Sequence, residues 1–276
     1  MRRFRFLVLF FWGLLLLGLT LWRFPVPMKG ALDLARSVAV AGLLLLAALA
    51  HGRALLGRFK LFHGSWLEEA CYSLGLGLIV LSLIASALGA AGLLYDWLVL
   101  CWLTGAFLVH WDHLESLADN FARSLRSKQI WEGNGTEVLT LMALALSGLV
   151  VLALSLAPPS FYDAMVYHLA QAQRAAVLGS SIPQPQVLFS WLPSLPTPLW
   201  SLALVLDGDP LLSAQAAGLL NVAVFGLLGL ILLDAGSRLL SERRLWLAPA
   251  LALTQPVLAL SFGVFSPDGW MALYAF

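Results

Sequence analysis

The chain has 276 residues, of which 61% are hydrophobic and 11% charged, and a mean hydropathy of +0.88. A soluble domain of that length cannot cover so much apolar surface with so few charges, which leaves the polytopic membrane class. The net charge of +1 names no partner and gives no sign of nucleic-acid binding, so the information lies in where the charges fall.

Met1-Arg2-Arg3-Phe4-Arg5 leads into an apolar run that ends at Trp22. The pattern is that of a signal sequence without a small-x-small cleavage site, and further spans follow, so it reads as a retained first span. Runs long enough to cross a hydrocarbon core of about 30 Å lie at 6–22, 73–94, 138–157, 211–233 and 245–265. Two others, 37–50 and 97–110, are short and need flanking residues or a snorkelling Arg36 to reach across. An eighth run starts near Gly269 and stops at Phe276. Cys71 and Cys101 both sit inside apolar runs, which argues against a disulfide or a thiolate metal site.

With the N-terminus in the cytoplasm, twelve of the 16 basic residues fall on inner segments. The other four, Arg23, Lys29, Arg36 and Arg174, fall on outer ones. The positive-inside rule therefore fixes the orientation, as in a bacterial inner (plasma) membrane protein. Asp163, Asp207, Asp209 and Asp268 then all lie on the outer side. The run Thr197–Leu206 would cover only about 15 Å as a helix. Counting it as a span would throw Arg238, Arg243 and Arg244 outside and weaken the bias to nine against seven. It is expected outside, lying along the membrane surface.

Asp112–Lys128 is amphipathic, with Leu114, Leu117, Phe121 and Leu125 near one face, and reads as an interfacial cytoplasmic helix. The glycosylation acceptor Asn134-Gly135-Thr136 falls on the cytoplasmic side and is discounted. His110-x-x-His113 beside Asp112 has metal-like spacing but lacks supporting ligands, so a structural role is expected.

The polar interruption from Pro158 to Pro198 is a loop of roughly forty residues, a length that usually carries function. If Phe161–Leu178 is an α-helix, Asp163, Tyr167 and Arg174 share one stripe at i, i+4 and i+11. Phe161, Met165, Leu169 and Ala176 then lie away from it, against lipid or the bundle. A guanidinium that binds phosphate oxygens, a phenol and a proton-accepting carboxylate suit a phosphate-bearing lipid and a hydroxyl acceptor. The spacing also allows a capping box of Ser160 with Asp163, and the two roles can coexist. His168 lies roughly 140° round an α-helix from Asp163 and reads as a surface or packing residue.

In Ser266-Pro267-Asp268-Gly269, Ser266 can serve as N-cap, Pro267 as first helical residue and Asp268 as a first-turn acid. Asp268 nevertheless stands at the outer mouth of two spans, on the side of Asp163, where an ionisable group is a functional candidate. Asp207-Gly208-Asp209-Pro210 reads as a turn in which Asp209 caps the next span.

The order of span, outer loop opening Phe161-Tyr162-Asp163-x-x-x-Tyr167-His168, proline-rich surface helix, two spans and outer Ser266-Pro267-Asp268 resembles the GT-C class of membrane glycosyltransferases. The types it is similar to are protein O-mannosyltransferases and aminoarabinose transferases. The resemblance covers about 138–276. It implies Asp163 and Asp268 as catalytic acids, and Pro196-Thr197-Pro198-Leu199 as the family's surface helix. Ala164, Thr197 and Gln215 stand where the family pattern has an acid, a second proline and an arginine. Because such enzymes carry several more spans after the second acid, the chain is expected to be the N-terminal part of a longer protein.

The expected fold is an all-α polytopic transmembrane bundle with juxtamembrane helices on a periplasmic loop. Residues 1–136 would form an extension of four spans and an interfacial helix, and 137–276 the start of the catalytic module. The resemblance implies transfer from a polyprenyl-phosphate-linked sugar, with Asp163 as general base and Arg174 on the donor phosphate. Tyr167 and Asp268 would orient the acceptor or hold a divalent metal ion, and His168 would lie among the substrate-binding residues. A transporter or lipid flippase gated by the outer loop is the alternative, and a non-enzymatic scaffold subunit a third.

Overall fold

The computed structural model describes residues 28–60, 66–126, 135–159, 161–183, 194–208, 214–239 and 247–275. The first predicted span, 6–22, lies outside them, as do Ser160, Asp209, Arg243 and Arg244. Among the described residues the chain is all-α. The chain divides into two units, 1–36 and 37–276. The first is described only as the opening turns of a helix, and the second contains all that follows.

Helix α1 (Met28–Phe59) extends the short apolar run 37–50 at both ends, and α2 covers Trp66–Ala90. In α3 (Asp96–Arg126) the expected span 97–110 and the expected interfacial helix join into one element, bent at His110 (φ −110°, ψ 16°). Helix α4 is Gly135–Leu156. The outer loop supplies a π-turn at Ala164–His168, α5 (Leu169–Leu178) and α6 (Pro196–Asp207). Then come α7 (Gln215–Leu239), α8 (Leu247–Leu253), α9 (Pro256–Gly263) and α10 (Asp268–Tyr274).

Among the described residues four helices are long and apolar enough to cross a bilayer: Lys29–Phe59, Trp66–Ala90, Leu139–Leu156 and Gln215–Gly236. The protein is an integral membrane protein. Its α4 turns Leu139, Met142, Leu146 and Leu149 outward, each more than half exposed, which is the surface a lipid-facing helix presents.

The expected span 245–265 is broken. Gln255 is extended (φ −66°, ψ 121°) because it precedes Pro256, which opens α9. Gln255 N–H turns to Ala252 O, and the Leu251 carbonyl it leaves accepts Gln255 Nε2 instead, while Thr254 Oγ1 adds a second bond to Ala250 O.

Helices α1 and α2 cross with their backbones nearly touching. A Cβ on Gly52 would collide with the Ser73 carbonyl, and one on Gly77 with the Ala48 carbonyl. Small residues are what permit such an approach between membrane helices. The same device recurs where Gly218 of α7 meets the Ser155 backbone of α4.

Polar contacts sort the helix ends of the second unit into two groups, in the alternation expected from the charges. At one end Arg53 pairs with Glu69 (2.5 Å), and Arg238 with Glu68 (2.5 Å) and Asp234 (2.9 Å). The ring of His110 there lies 5.2 Å from that of His51 and 6.0 Å from that of His113. At the other end the α2–α3 turn is tied to the end of α5. Leu94 N–H donates to Gly179 O (3.0 Å) and Ser181 N–H to Gly89 O (3.0 Å). Gly179 adopts φ +65° and carries no Cβ to strike the Tyr95 ring.

Helix α6 departs from the expected surface position. It packs against α2, α5 and α7, and Leu199 to Leu204 are buried without interruption. Its last residue, Asp207, is buried and accepts the Ser37 hydroxyl at 2.9 Å, after which Gly208 ends the helix at φ +90°. A short apolar helix has the same composition whether it floats on lipid or is enclosed by protein. Here neighbouring helices cover it.

Candidate functional site

The segment after Pro158-Pro159 does not form the uniform α-helix that the stripe requires. Backbone closure at Ala164–His168 is i→i+5, with Leu169 N–H donating to Ala164 O. The buried stripe carries the extra residue too: Ala164 is followed by Leu169, then by Ala172 and Ala175. Phe161 and Met165 stay exposed, whereas Leu169 turns inward. A π-turn shifts the helical register by one residue, so the stripe of Asp163, Tyr167 and Arg174 does not persist along the helix. Such turns concentrate at functional sites.

The same turn corrects the placement of His168. Five residues of i→i+5 winding bring His168 back towards Asp163, and the Asp163 carboxylate acts on it electrostatically. The Asp268 carboxylate acts on it as well, from a loop one hundred residues further on. Burial is the larger effect and holds the half-buried imidazole below its ordinary 6.5, while the two carboxylates pull it up. Burial thus disfavours the imidazolium, and the charges of two acids on separate loops oppose that effect.

Asp163 itself is exposed and makes no side-chain capping bond in the turn it opens. Tyr167 stands within its field. The Tyr162 hydroxyl, hydrogen-bonding to the protonated phenol, holds Tyr167 above the usual phenol range, with burial and the Asp163 charge adding to it. The Tyr162 and Tyr167 rings meet edge to face at 5.8 Å. Arg174 is half-buried on α5 and has no hydrogen-bond or ion-pair partner among the described residues.

On the second loop, Ser266 does the work expected of a helix-opening serine. Its hydroxyl accepts the Asp268 N–H (3.2 Å) and donates to Asp268 Oδ2 (2.9 Å), which fixes the carboxylate. Just before it, Phe265 is held at φ +58°, a conformation in which a bulky side chain is a genuine outlier. Its buried ring is pinned edge to face on Trp200 at 5.5 Å.

Asp163 and Asp268 both act on His168 electrostatically, Asp163 acts on Tyr167 as well, and no contact ties Arg174 to them. Sequence reasoning missed Tyr162, the orienting hydroxyl of Ser266, and a buried amide, Asn221, that accepts the indole N–H of both Trp200 (3.0 Å) and Trp270 (2.9 Å). The available signal for Asn221 was a lone amide inside the apolar run Leu219-Leu220-Asn221-Val222. Among the described residues no three His, Cys, Asp or Glu side chains gather to hold a metal ion. No family model matches the chain, and neither a curated protein nor a solved structure matches it.

Proposed function

We propose that the protein is a membrane glycosyltransferase, moving a sugar from a polyprenyl-phosphate donor to an acceptor hydroxyl or amine at the outer membrane face. The observation that carries this reading is that two acids from separate loops, Asp163 and Asp268, both act on one half-buried imidazole, His168. In this scheme Asp163 takes the acceptor proton as the acceptor atom attacks the anomeric carbon. The bond to the donor phosphate breaks, polyprenyl phosphate leaves, and the anomeric configuration inverts. Burial of His168 disfavours a positive charge near the base. Tyr167, kept protonated, offers a hydroxyl donor, Asp268 orients the acceptor, and the guanidinium of Arg174 binds the leaving phosphate.

The test is sugar transfer by full-length protein in lipid nanodiscs, with Asp163→Asn beside the parent. Transfer by the parent and its loss in the variant, at unchanged thermal stability, supports the scheme. Full transfer by Asp163→Asn removes Asp163 from it. Uptake or lipid flipping by a parent that transfers no sugar replaces it with the transport reading.

A further inference from the structure

We propose that Asn221 is a positioning residue: by holding Trp200 and Trp270 together it fixes the separation of the two acid-bearing loops. The inference rests on the transferase reading only for what the spacing is used for; the clamp itself stands on geometry.

Asn221 sits on α7 with no exposed surface, and its Oδ1 accepts both indole N–H groups. Trp200 belongs to α6, the helix on which α5 packs, and α5 continues directly from the turn that carries Asp163 and His168. Trp270 lies two residues after Asp268, in the short helix that this acid opens. One carbonyl oxygen therefore links both arms of the site to a single membrane helix. The two tryptophans are themselves fully buried, so neither arm slides without breaking a hydrogen bond away from water.

Two further features favour positioning over stability. The other half of the amide, Nδ2, is buried with no partner, a defect that an apolar residue of the same shape would avoid. Phe265, between α9 and Asp268, is held in a left-handed conformation against Trp200. Unsatisfied polar atoms and strained backbone persist where the surroundings over-determine them, and they cluster at working sites.

The test places spin labels at Met165→Cys and Met271→Cys, both exposed (55% and 68%), in full-length protein carrying Cys71→Ala and Cys101→Ala. Pulsed electron-electron resonance then reads the distance between the loops. One narrow distance is expected with Asn221 in place, and a broadened or split distribution in Asn221→Leu. Asn221→Asp keeps the acceptor oxygen and restores the narrow distance. Where transfer is measurable, Asn221→Leu lowers it about 10–100-fold, the scale of a small misplacement of reacting groups, and Asn221→Asp restores it. If Asn221→Leu fails to fold, Trp270→Phe removes one donor and is expected to broaden the distribution likewise. A narrow distance that survives the loss of the amide or of the indole N–H overturns the clamp, as does an Asn221→Asp protein as broad as the leucine variant. A broadened distance in a protein whose parent transfers no sugar leaves the clamp standing and overturns the transferase reading instead.

Discussion

Two sets of charged side chains, one at each end of the bundle, are held differently. At one, Glu68, Glu69 and Asp234 meet Arg53 and Arg238 at 2.5–2.9 Å, and Asn120 adds a hydrogen bond to Glu69. At the other, Asp163 is exposed without a capping bond, Arg174 has no partner among the described residues, and Asp268 is oriented by a serine hydroxyl rather than by a cation. Backbone irregularity occurs at both ends, with His110 and the left-handed Lys60 at the first and the π-turn and the left-handed Phe265 at the second. Charges that satisfy one another hold helices in register. Asp163 and Asp268 are exposed and, among the described residues, are not tied to a cation in this way.

The contrast can be broken most forcefully at Asp163. Asp163→Asn is expected to lower sugar transfer by about 10²–10⁴-fold, the usual contribution of a general base, with no change in melting temperature. A matching loss of stability would place Asp163 among the structural charges. At the opposite end, Arg53→Met is expected to destabilise the fold by somewhat less than the roughly 3–5 kcal/mol of a fully buried pair. Arg53 keeps 21% side-chain exposure, so solvent screens part of the interaction. Denaturation in detergent measures it, and transfer by the folded fraction should be unchanged.

Arg174→Ala tests whether this guanidinium meets the donor. The Michaelis constant for the lipid-linked sugar should rise about 10-fold or more, as for loss of a charged hydrogen bond, with stability unaffected. The smallest effect is the titration of His168 by NMR. Asp163→Asn and Asp268→Asn each remove a charge that favours imidazolium, so each should lower the pKa of His168 further below 6.5. The sign for stability follows. The folded state binds fewer protons at His168 than the unfolded chain does. Its contribution is therefore complete above 6.5 and is lost as pH falls through the depressed folded value. His168→Gln should flatten that acid-side loss.

Much of this was legible in the residues. Apolar runs marked the long helices, Gln255-Pro256 marked the break, and alternation of basic segments placed Asp163 and Asp268 at one end. The π-turn was not legible, because Asp-Ala-Met-Val-Tyr-His has no local signal for i→i+5 closure. Packing that turns both Ala164 and Leu169 inward selects it. Nor could composition show that α6 is enclosed, or that Trp200, Asn221 and Trp270 converge, since those contacts join segments 21 and 49 residues apart.

The interruption at Gln255 has a mechanical meaning for the second acid. A continuous rod from Leu247 to Gly263 would transmit any tilt of its far end through an unbroken ladder of backbone bonds. With an elbow at 255, the ladder is interrupted, the Leu251 carbonyl takes the Gln255 side-chain amide in place of a backbone N–H, and the segment leading to Asp268 starts afresh at Pro256.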